Sequence, residues 1–455
     1  MSAPAAADQK MTAHQRRVAM ATMVGTTIEW YDYFIYANAV ALVFGEAFFA
    51  PVEGSLGTII AFSTVGISFL FRPLGAVLMG RVGDKYGRRV VLVLTLLLMG
   101  AGTTLIGVLP TYATVGVLAP ILLVLLRIVQ GFSAGGEWGG AALMAVEHAP
   151  RNRRGRLGAY PQLGVPAGML LASGVSALCT FSMTDEQFQS WGWRLPFLLS
   201  IVLLAVGHYI RRRVEESPVY LEMEADAARE KAPVSTLLRR HPGKVTQAML
   251  VFMGNNAAGY MLTGGYILGY ATAELGLDST TLLNFITLGS VAWLVSAWFG
   301  AVWSDRIGRP KVFAIGYGAM LLWLFPVFLL VETANLALVL LALVVFGAIM
   351  GLSYGPLPAL YAEHFPARIR FSGASISYAL GAILGGAFAP MIAAWLQSTF
   401  GSTMAVSAYL SVVVLVSLVA GLTFKDRREV DLSHRRDPAE EATVPEPRLA
   451  TGTPS

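Results

Sequence analysis

Apolar residues in this chain fall in long, nearly unbroken runs separated by charged or Pro/Gly-rich breaks, unlike the one-faced periodicity of soluble helices or the alternation of soluble strands. The runs lie near 18–44, 57–79, 90–109, 114–146, 157–179 and 192–210. After a polar stretch from Arg211 to Lys244 they resume near 246–273, 281–303, 312–331, 335–361, 371–396 and 403–424. A bilayer core about 30 Å thick takes about 20 residues of helix, so each run predicts one membrane-spanning helix. The predicted organisation is a tail (1–17), a six-helix bundle (18–210), a middle loop (211–245), a second six-helix bundle (246–424) and a final tail (425–455). The middle loop opens on Arg211-Arg212-Arg213-Val214-Glu215-Glu216-Ser217-Pro218, a charged amphipathic start that predicts a surface helix linking the bundles. The final tail is polar, carries Pro438, Pro445, Pro447 and Pro454 and lacks heptads, which predicts disorder and no coiled coil.

Composition agrees: 55% of the 455 residues are apolar and 13% charged, with a mean hydropathy of +0.61, too little charge for a soluble surface. The net charge of +5 does not point to nucleic acid, because the basic residues lie between apolar runs rather than on one face. Of 33 lysines and arginines, all but Arg72, Arg127 and Arg194 lie in the first segment, the connections on one side, or the tail. The loops on the other side hold Glu46, Glu53, Asp185 and Glu186 without a balancing base. The positive-inside rule then puts both termini in the cytoplasm. Cys179 is the single cysteine and the six histidines show no ligand spacing, so neither a disulfide framework nor a metal site is expected. The polar segments carry no nucleotide loop and no nucleophile–base pair, which argues against an ATP-driven pump, a bound cofactor and an enzyme.

The two sets of six share one template. Gly80-Arg81-Val82-Gly83-Asp84-Lys85-Tyr86-Gly87-Arg88-Arg89, between the second and third runs, is echoed 221 residues later by Ala301-Val302-Trp303-Ser304-Asp305-Arg306-Ile307-Gly308-Arg309-Pro310. Glu147-His148-Ala149-Pro150 is echoed 216 residues later by Glu363-His364-Phe365-Pro366. Such a parallel duplication describes a carrier that rocks two halves about a site between them. The Gly-x-x-x-Asp-basic-x-Gly-Arg-basic loop resembles the signature of the major facilitator superfamily. Glu29-Trp30-Tyr31-Asp32, Arg72-Pro73-Leu74-Gly75 and Arg127-Ile128-Val129-Gln130-Gly131 with Gly135-Gly136-Glu137 resemble, more narrowly, its metabolite:proton symporter family. The resemblance covers residues 18 to 425 and implies an all-α membrane protein with the major facilitator fold, working as a monomer. It implies proton-coupled uptake of a small solute across a bacterial inner membrane. Members of that family carry shikimate, α-ketoglutarate, citrate and other carboxylates, or proline and betaine.

In the first run Glu29, Asp32, Tyr33 and Tyr36 fall at i, i+3, i+4 and i+7, on one helix face. A charge at mid-membrane costs about 2.5–3.5 kcal/mol on insertion scales, so these carboxyls must be paired, hydrated or protonated. Proton coupling by Glu29 or Asp32 is one reading and a structural ion pair is the other. In the fourth run Arg127, Gln130 and Glu137 share an arc of about 80°, with Arg127 about 15 Å along the axis from Glu137. Glu137 lies among Gly135, Gly136, Gly139 and Gly140, so it either handles a proton or sits as a hydrogen-bonded acid at a close helix crossing. A guanidinium fork suits a carboxylate, so Arg127 or Arg72 is a candidate clamp for an anionic solute. Alternatively Arg127 only neutralises Glu29 or Asp32. In the seventh run Asn256 and Tyr260, at i and i+4 beside Asn255, Tyr266 and Tyr270, are candidates to orient the solute. Tyr354-Gly355-Pro356 with Pro358 interrupts the tenth run. Asp84 with Arg88, and Asp305 with Arg309, lie too near the membrane surface to hold a solute midway and are expected to form a gate. Buried arginines favour an organic acid over a zwitterionic osmolyte; uniport, antiport or solute sensing on the same fold are the alternatives.

Overall fold

In the computed structural model residues 11–50, 55–212, 215–225, 233–263 and 266–432 are described, and no strand occurs among them. Twelve long helices form the body: α1 (Ala13–Ala39), α2 (Ser55–Tyr86), α3 (Arg88–Gly107), α4 (Leu118–Glu147), α5 (Arg154–Ser182) and α6 (Arg194–Arg212). They continue as α7 (Pro242–Thr263), α8 (Ser279–Ile307), α9 (Arg309–Glu332), α10 (Leu336–Tyr354), α11 (Arg370–Ala382) and α12 (Thr403–Leu422). By length and composition, eight of the described helices are apolar enough to cross a membrane. The stretches outside that set, α1, α2, α5 and α7, include those that carry Glu29, Asp32, Arg72, Gln162, Asn255 and Asn256. Their polarity is tolerable because it faces other helices rather than lipid: Asp32 and Gln162 are fully buried, whereas Phe181, Leu322 and Met391 point outward.

Helix ends follow local chemistry. Thr12 and Gln15 close a reciprocal capping box on α1, each side chain meeting the other's backbone N–H at 3.1 Å. Asp278 and Asn335 cap α8 and α10 through Thr281 N (2.7 Å) and Ala337 N (3.0 Å). The turns from α2 to α3 and from α8 to α9 each hinge on one glycine, Gly87 at φ 102° and Gly308 at φ 104°, a backbone conformation that only glycine enters without strain. The duplication visible in the sequence thus recurs as the same turn.

The helix crossings are duplicated too. Gly131 and Gly135 of α4 rest on the backbone of Ser68 and Arg72 in α2, while Gly347 and Gly351 of α10 rest on Gly289 and Trp293 in α8. These pairs keep the 216- and 221-residue offsets, and glycine lets the backbones touch where no side chain fits. Between the bundles, α2 packs against α11 and α5 against α8. Both described termini, the two duplicated turns and the middle segment lie at one end of the body, termed proximal; the other end is distal.

The middle segment contributes two short helices, Pro218–Ala225 and Pro233–Arg240; residues 213–214 and 226–232 lie outside the described residues. Glu216 accepts from the N–H groups of Arg88 (3.0 Å) and Arg89 (3.1 Å), capping α3. The tail expected to be disordered from Lys425 departs from that expectation over its first eight residues. Residues 425–432 pack on the proximal face, because their backbone carbonyls meet buried arginines, and Leu432 is buried. The rest of that tail, from 433, lies outside the described residues, as do residues 1–10.

Candidate functional site

Helices from both bundles meet around a central cavity lined by Trp30 and Phe34 of α1, Asn256 and Tyr260 of α7, Trp293 of α8, Tyr354 of α10 and Tyr378 of α11. Asn256 donates to the carbonyl of Ala382 at 3.0 Å, and its neighbour Asn255 donates to Met350 O (3.0 Å) and Ser353 Oγ (2.8 Å). The Tyr260 hydroxyl is buried beside that of Tyr33. Tyr33 packs edge-on against Phe69, which in turn meets the Tyr260 ring at 5.6 Å. Arg72 stands beside this aromatic wall, its guanidinium 4.2 Å from the Phe69 ring centre and 5.9 Å from that of Trp30. It is 5% exposed, its Nε has no partner, and among the described residues it forms no ion pair. Toward the proximal end the cavity is floored by three stacked rings from both bundles, Trp138–Tyr378 at 4.0 Å and Tyr378–Phe252 at 4.3 Å. Trp138 Nε1 donates to Gln162 (2.7 Å), whose amide donates to the carbonyl of Tyr354 (2.9 Å), where the predicted break in the tenth run ends α10.

The three acids expected to couple protons occupy two places in the first bundle. Glu29 and Glu137 line one small cavity between α1, α3 and α4. Glu137 accepts from the Thr95 hydroxyl, and the glycines around it touch α2, α3 and α11; the hydrogen bond and the close crossing therefore coexist. Asp32 is fully buried and accepts from Ser200 Oγ of α6 at 2.7 Å, with the Thr103 hydroxyl of α3 also beside its carboxyl.

Arg127 belongs to a separate knot nearer the distal end. Its guanidinium lies 3.8 Å from the Tyr36 ring centre, Nη1 donates to Gln130 Oε1 at 2.8 Å, and Nε donates to the Thr64 carbonyl at 3.4 Å. Gln130 passes the network on to Thr103 Oγ1 at 2.8 Å, and Tyr36 shares a 2.5 Å hydrogen bond with Thr64. Tyr36, Gln130 and Arg127 are thus occupied with one another. Arg194 donates to the carbonyls of Gly107 and Leu109, closing the end of α3.

At the proximal end the expected gate residues converge, joined by four that sequence reasoning did not place there. Asp305 accepts from the N–H groups of Gly155 (2.8 Å) and Arg156 (2.9 Å) at the start of α5, in the other bundle, and from Arg309 Nη1 at 2.6 Å. An acid at a helix N-terminus meets unpaired donors and the favourable end of the dipole. Asp84, its counterpart at the 221-residue offset, accepts from Ser372 at the start of α11. Glu363 holds Arg309 at 3.0 Å and Arg154 of the opposite bundle at 3.7 Å; Glu147 holds Arg370 of the opposite bundle at 3.1 Å and Arg88 at 3.6 Å. Arg88 therefore pairs with Glu147 rather than with Asp84. The available signal was the 216-residue offset, which relates Arg154 to Arg370 as it relates Glu147 to Glu363.

A family model described as Major Facilitator Superfamily matches residues 22–379. The chain is 38% identical over 423 residues to the inner membrane metabolite transport protein YhjE of Escherichia coli (strain K12), covering 92% of this chain and 96% of that one. It is 38% identical over 416 residues to the shikimate transporter of the same organism (90% and 94%). Identity to a putative proline/betaine transporter of Staphylococcus aureus (strain COL) is 34% over 411 residues (90% and 88%). Among solved structures, the proton:xylose symporter XylE bound to 6-bromo-6-deoxy-D-glucose superposes with a TM-score of 0.76 at 19% identity, covering 90% of this chain and 95% of that one. The chain is thus a multi-pass membrane transporter and not an enzyme. With twelve helices in two duplicated bundles and relatives of this kind along nearly its whole length, it belongs to the major facilitator superfamily, in the group that holds the metabolite, shikimate and proline/betaine transporters.

Proposed function

We propose that this protein is a proton-coupled symporter that imports a small organic acid across the bacterial cytoplasmic membrane by alternating access, with its proximal end in the cytoplasm. The observation that carries this reading is Arg72. A guanidinium buried beside the cavity with no carboxylate partner among the described residues rests against ring faces, and a solute carboxylate can meet its free donors with two parallel hydrogen bonds. Arg127, the other candidate clamp, already holds Gln130 and the Thr64 carbonyl. Asn256, Tyr260 and Tyr33 then orient the rest of the solute. Asp32, Glu29 and Glu137 supply the proton-coupling groups, since an acid buried in a membrane protein crosses between states most readily as the neutral form. The positive-inside pattern and the name of the E. coli inner-membrane relative support the location and orientation.

A second reading has its own observation: rings of Trp30, Trp293, Tyr260, Tyr354 and Tyr378 surround the cavity, and aromatic faces attract quaternary ammonium groups. Paired with Arg72, they suit a betaine-like zwitterion, which the putative proline/betaine relative recommends. Uptake into proteoliposomes of shikimate, α-ketoglutarate, citrate, an aromatic acid and glycine betaine, with and without a protonophore, separates the two. A gradient-dependent carboxylate that Arg72→Gln no longer accumulates supports the first reading. Betaine alone supports the second, and protonophore-insensitive uptake overturns proton coupling.

A further inference from the structure

Beyond α12, residues 425–432 stay on the proximal face of the bundles. Arg428 Nη1 donates to the carbonyls of Arg306 (2.6 Å) and Asp305 (3.3 Å), the last turn of α8, where a helix presents unpaired acceptors and favours a cation. Arg428 is held in that pose by Asp426, at 2.9 Å from its Nε, and Asp426 itself lies over Gly308, where a Cβ would collide with it. The segment then crosses to the other bundle. Arg154 donates to the carbonyls of Arg428 (3.3 Å) and Val430 (2.8 Å), and Arg370 donates to that of Leu432 (3.2 Å). Leu432 ends the crossing buried among Met79, Val91, Leu143 and Val146 of the first bundle, Val219 of the middle segment and Phe371 of α11.

The two arginines that donate to this segment's carbonyls are the ones whose ion pairs, Arg154–Glu363 and Arg370–Glu147, join the two bundles. A segment anchored on the second bundle by Arg428 and on the first by Leu432 spans the line along which the proximal end must part. We propose that residues 425–432 form a strap that locks the proximal gate, so that the chain beyond α12 controls how often this end opens. Opening requires Leu432 to leave its pocket and the two arginines to give up the strap's carbonyls in the same movement that separates them from Glu363 and Glu147. The strap therefore adds to the closed state and contributes nothing to the open one, which is the condition for shifting a two-state equilibrium.

The test measures the gate directly and needs no solute, so its outcome stands apart from the identity of the cargo. Spin labels replace the exposed Arg81 and Lys311 in a Cys179→Ser background, one on each bundle at the proximal end, and the inter-label distance distribution is recorded in nanodiscs. Leu432→Asp, Arg428→Ala and a chain ending at Phe424 are compared with the parent. The expected result is a longer-distance population raised about tenfold relative to the closed one in each, with Leu432→Ala falling between Leu432→Asp and the parent. Where the shortened chain fails to fold, the full-length point variants decide. A folded Leu432→Asp or Arg428→Ala protein with the parent's distance distribution overturns the strap, and so does a lowered melting temperature without any change in that distribution.

Discussion

Asp305→Asn tests whether the proximal contacts bias a conformational equilibrium or merely decorate it. Asp305 accepts three hydrogen bonds, of which the one from Arg309 stays within its own bundle and survives opening. Those from Gly155 N at 2.8 Å and Arg156 N at 2.9 Å come from the other bundle and exist only while the gate is shut. A hydrogen bond to a charged acceptor contributes about 1.5–3 kcal/mol and a neutral one about 0.5–1.5 kcal/mol. Asparagine keeps one carbonyl oxygen for one of the two N–H groups and turns an amide nitrogen toward the other, which is left unmet. The closed state then loses about 2–4 kcal/mol relative to the open one. At about 1.4 kcal/mol per tenfold, the closed-to-open ratio drops by between about 30- and 700-fold. Distances between labels at positions 81 and 311 report that ratio, and Asp84→Asn, whose carboxylate accepts from the Ser372 hydroxyl, is the paired variant with a smaller expected shift. A folded Asp305→Asn protein whose ratio stays within about threefold of the parent, equivalent to under about 0.7 kcal/mol, refutes the claim that the helix-terminus contact holds the gate.

Arg72→Lys keeps the charge but loses the fork, so KM for a carboxylate solute should rise about tenfold or more with kcat less affected; an unchanged KM removes Arg72 from the solute site. Arg127→Lys should lower thermal stability by about 1–3 kcal/mol through the lost Gln130 and Thr64 bonds while leaving KM nearly alone, and the opposite pattern restores Arg127 as the clamp. Asp32→Asn should abolish proton-driven accumulation yet permit solute exchange between preloaded vesicles, and accumulation that persists with a protonophore-sensitive gradient excludes Asp32 from coupling. Gly308→Ala forces a side chain into a φ of 104° against Asp426 and should cost at least about 1–2 kcal/mol in thermal unfolding. Gly116→Ala, at φ 59° with open space around it, should cost less.

Run lengths made the twelve helices legible, because a lipid surface leaves no alternative to an apolar helix at each crossing. The paired positions of Asp84 and Asp305 at one end of the bundles were legible from the 221-residue echo. What remained hidden was which arginine is already occupied. Arg72 and Arg127 look alike in sequence, and what separates them is the crossing of α2 over α4 at Gly131 and Gly135, which brings the Thr64 carbonyl to an Arg127 already beside its helix neighbour Gln130. Ser200, Thr95 and Thr103 were invisible for a related reason: a lone hydroxyl in an apolar run signals nothing until the helix facing it is known. The ordered start of the tail was misread because composition describes side chains, whereas this segment is held by its backbone carbonyls, which every sequence possesses.

Duplication also explains why the two bundles do different work. At the proximal end the offsets preserve charge: Asp84 corresponds to Asp305, Arg88 to Arg309, Glu147 to Glu363 and Arg154 to Arg370. At mid-membrane they do not. Arg72 corresponds to Trp293, Arg127 to Leu343, Gln130 to Phe346 and Glu137 to Ser353. A gate must close symmetrically between two bundles, so each bundle needs the same acids and bases to offer its partner. The proposed proton coupling would place the opposite demand, because ionisable groups buried in both bundles would add desolvation cost twice for one proton cycle. Ionisable chemistry is accordingly concentrated in the first bundle, and the second meets it with amides and rings: Asn256, Tyr260, Trp293, Tyr354 and Tyr378 across the cavity from Trp30 and Phe34. The Trp138–Tyr378 stack lies where these two meet, one residue from Glu137 and on the cavity floor. Glu137 thus lies on the helix that supplies one face of that stack, and the cavity lies against the other.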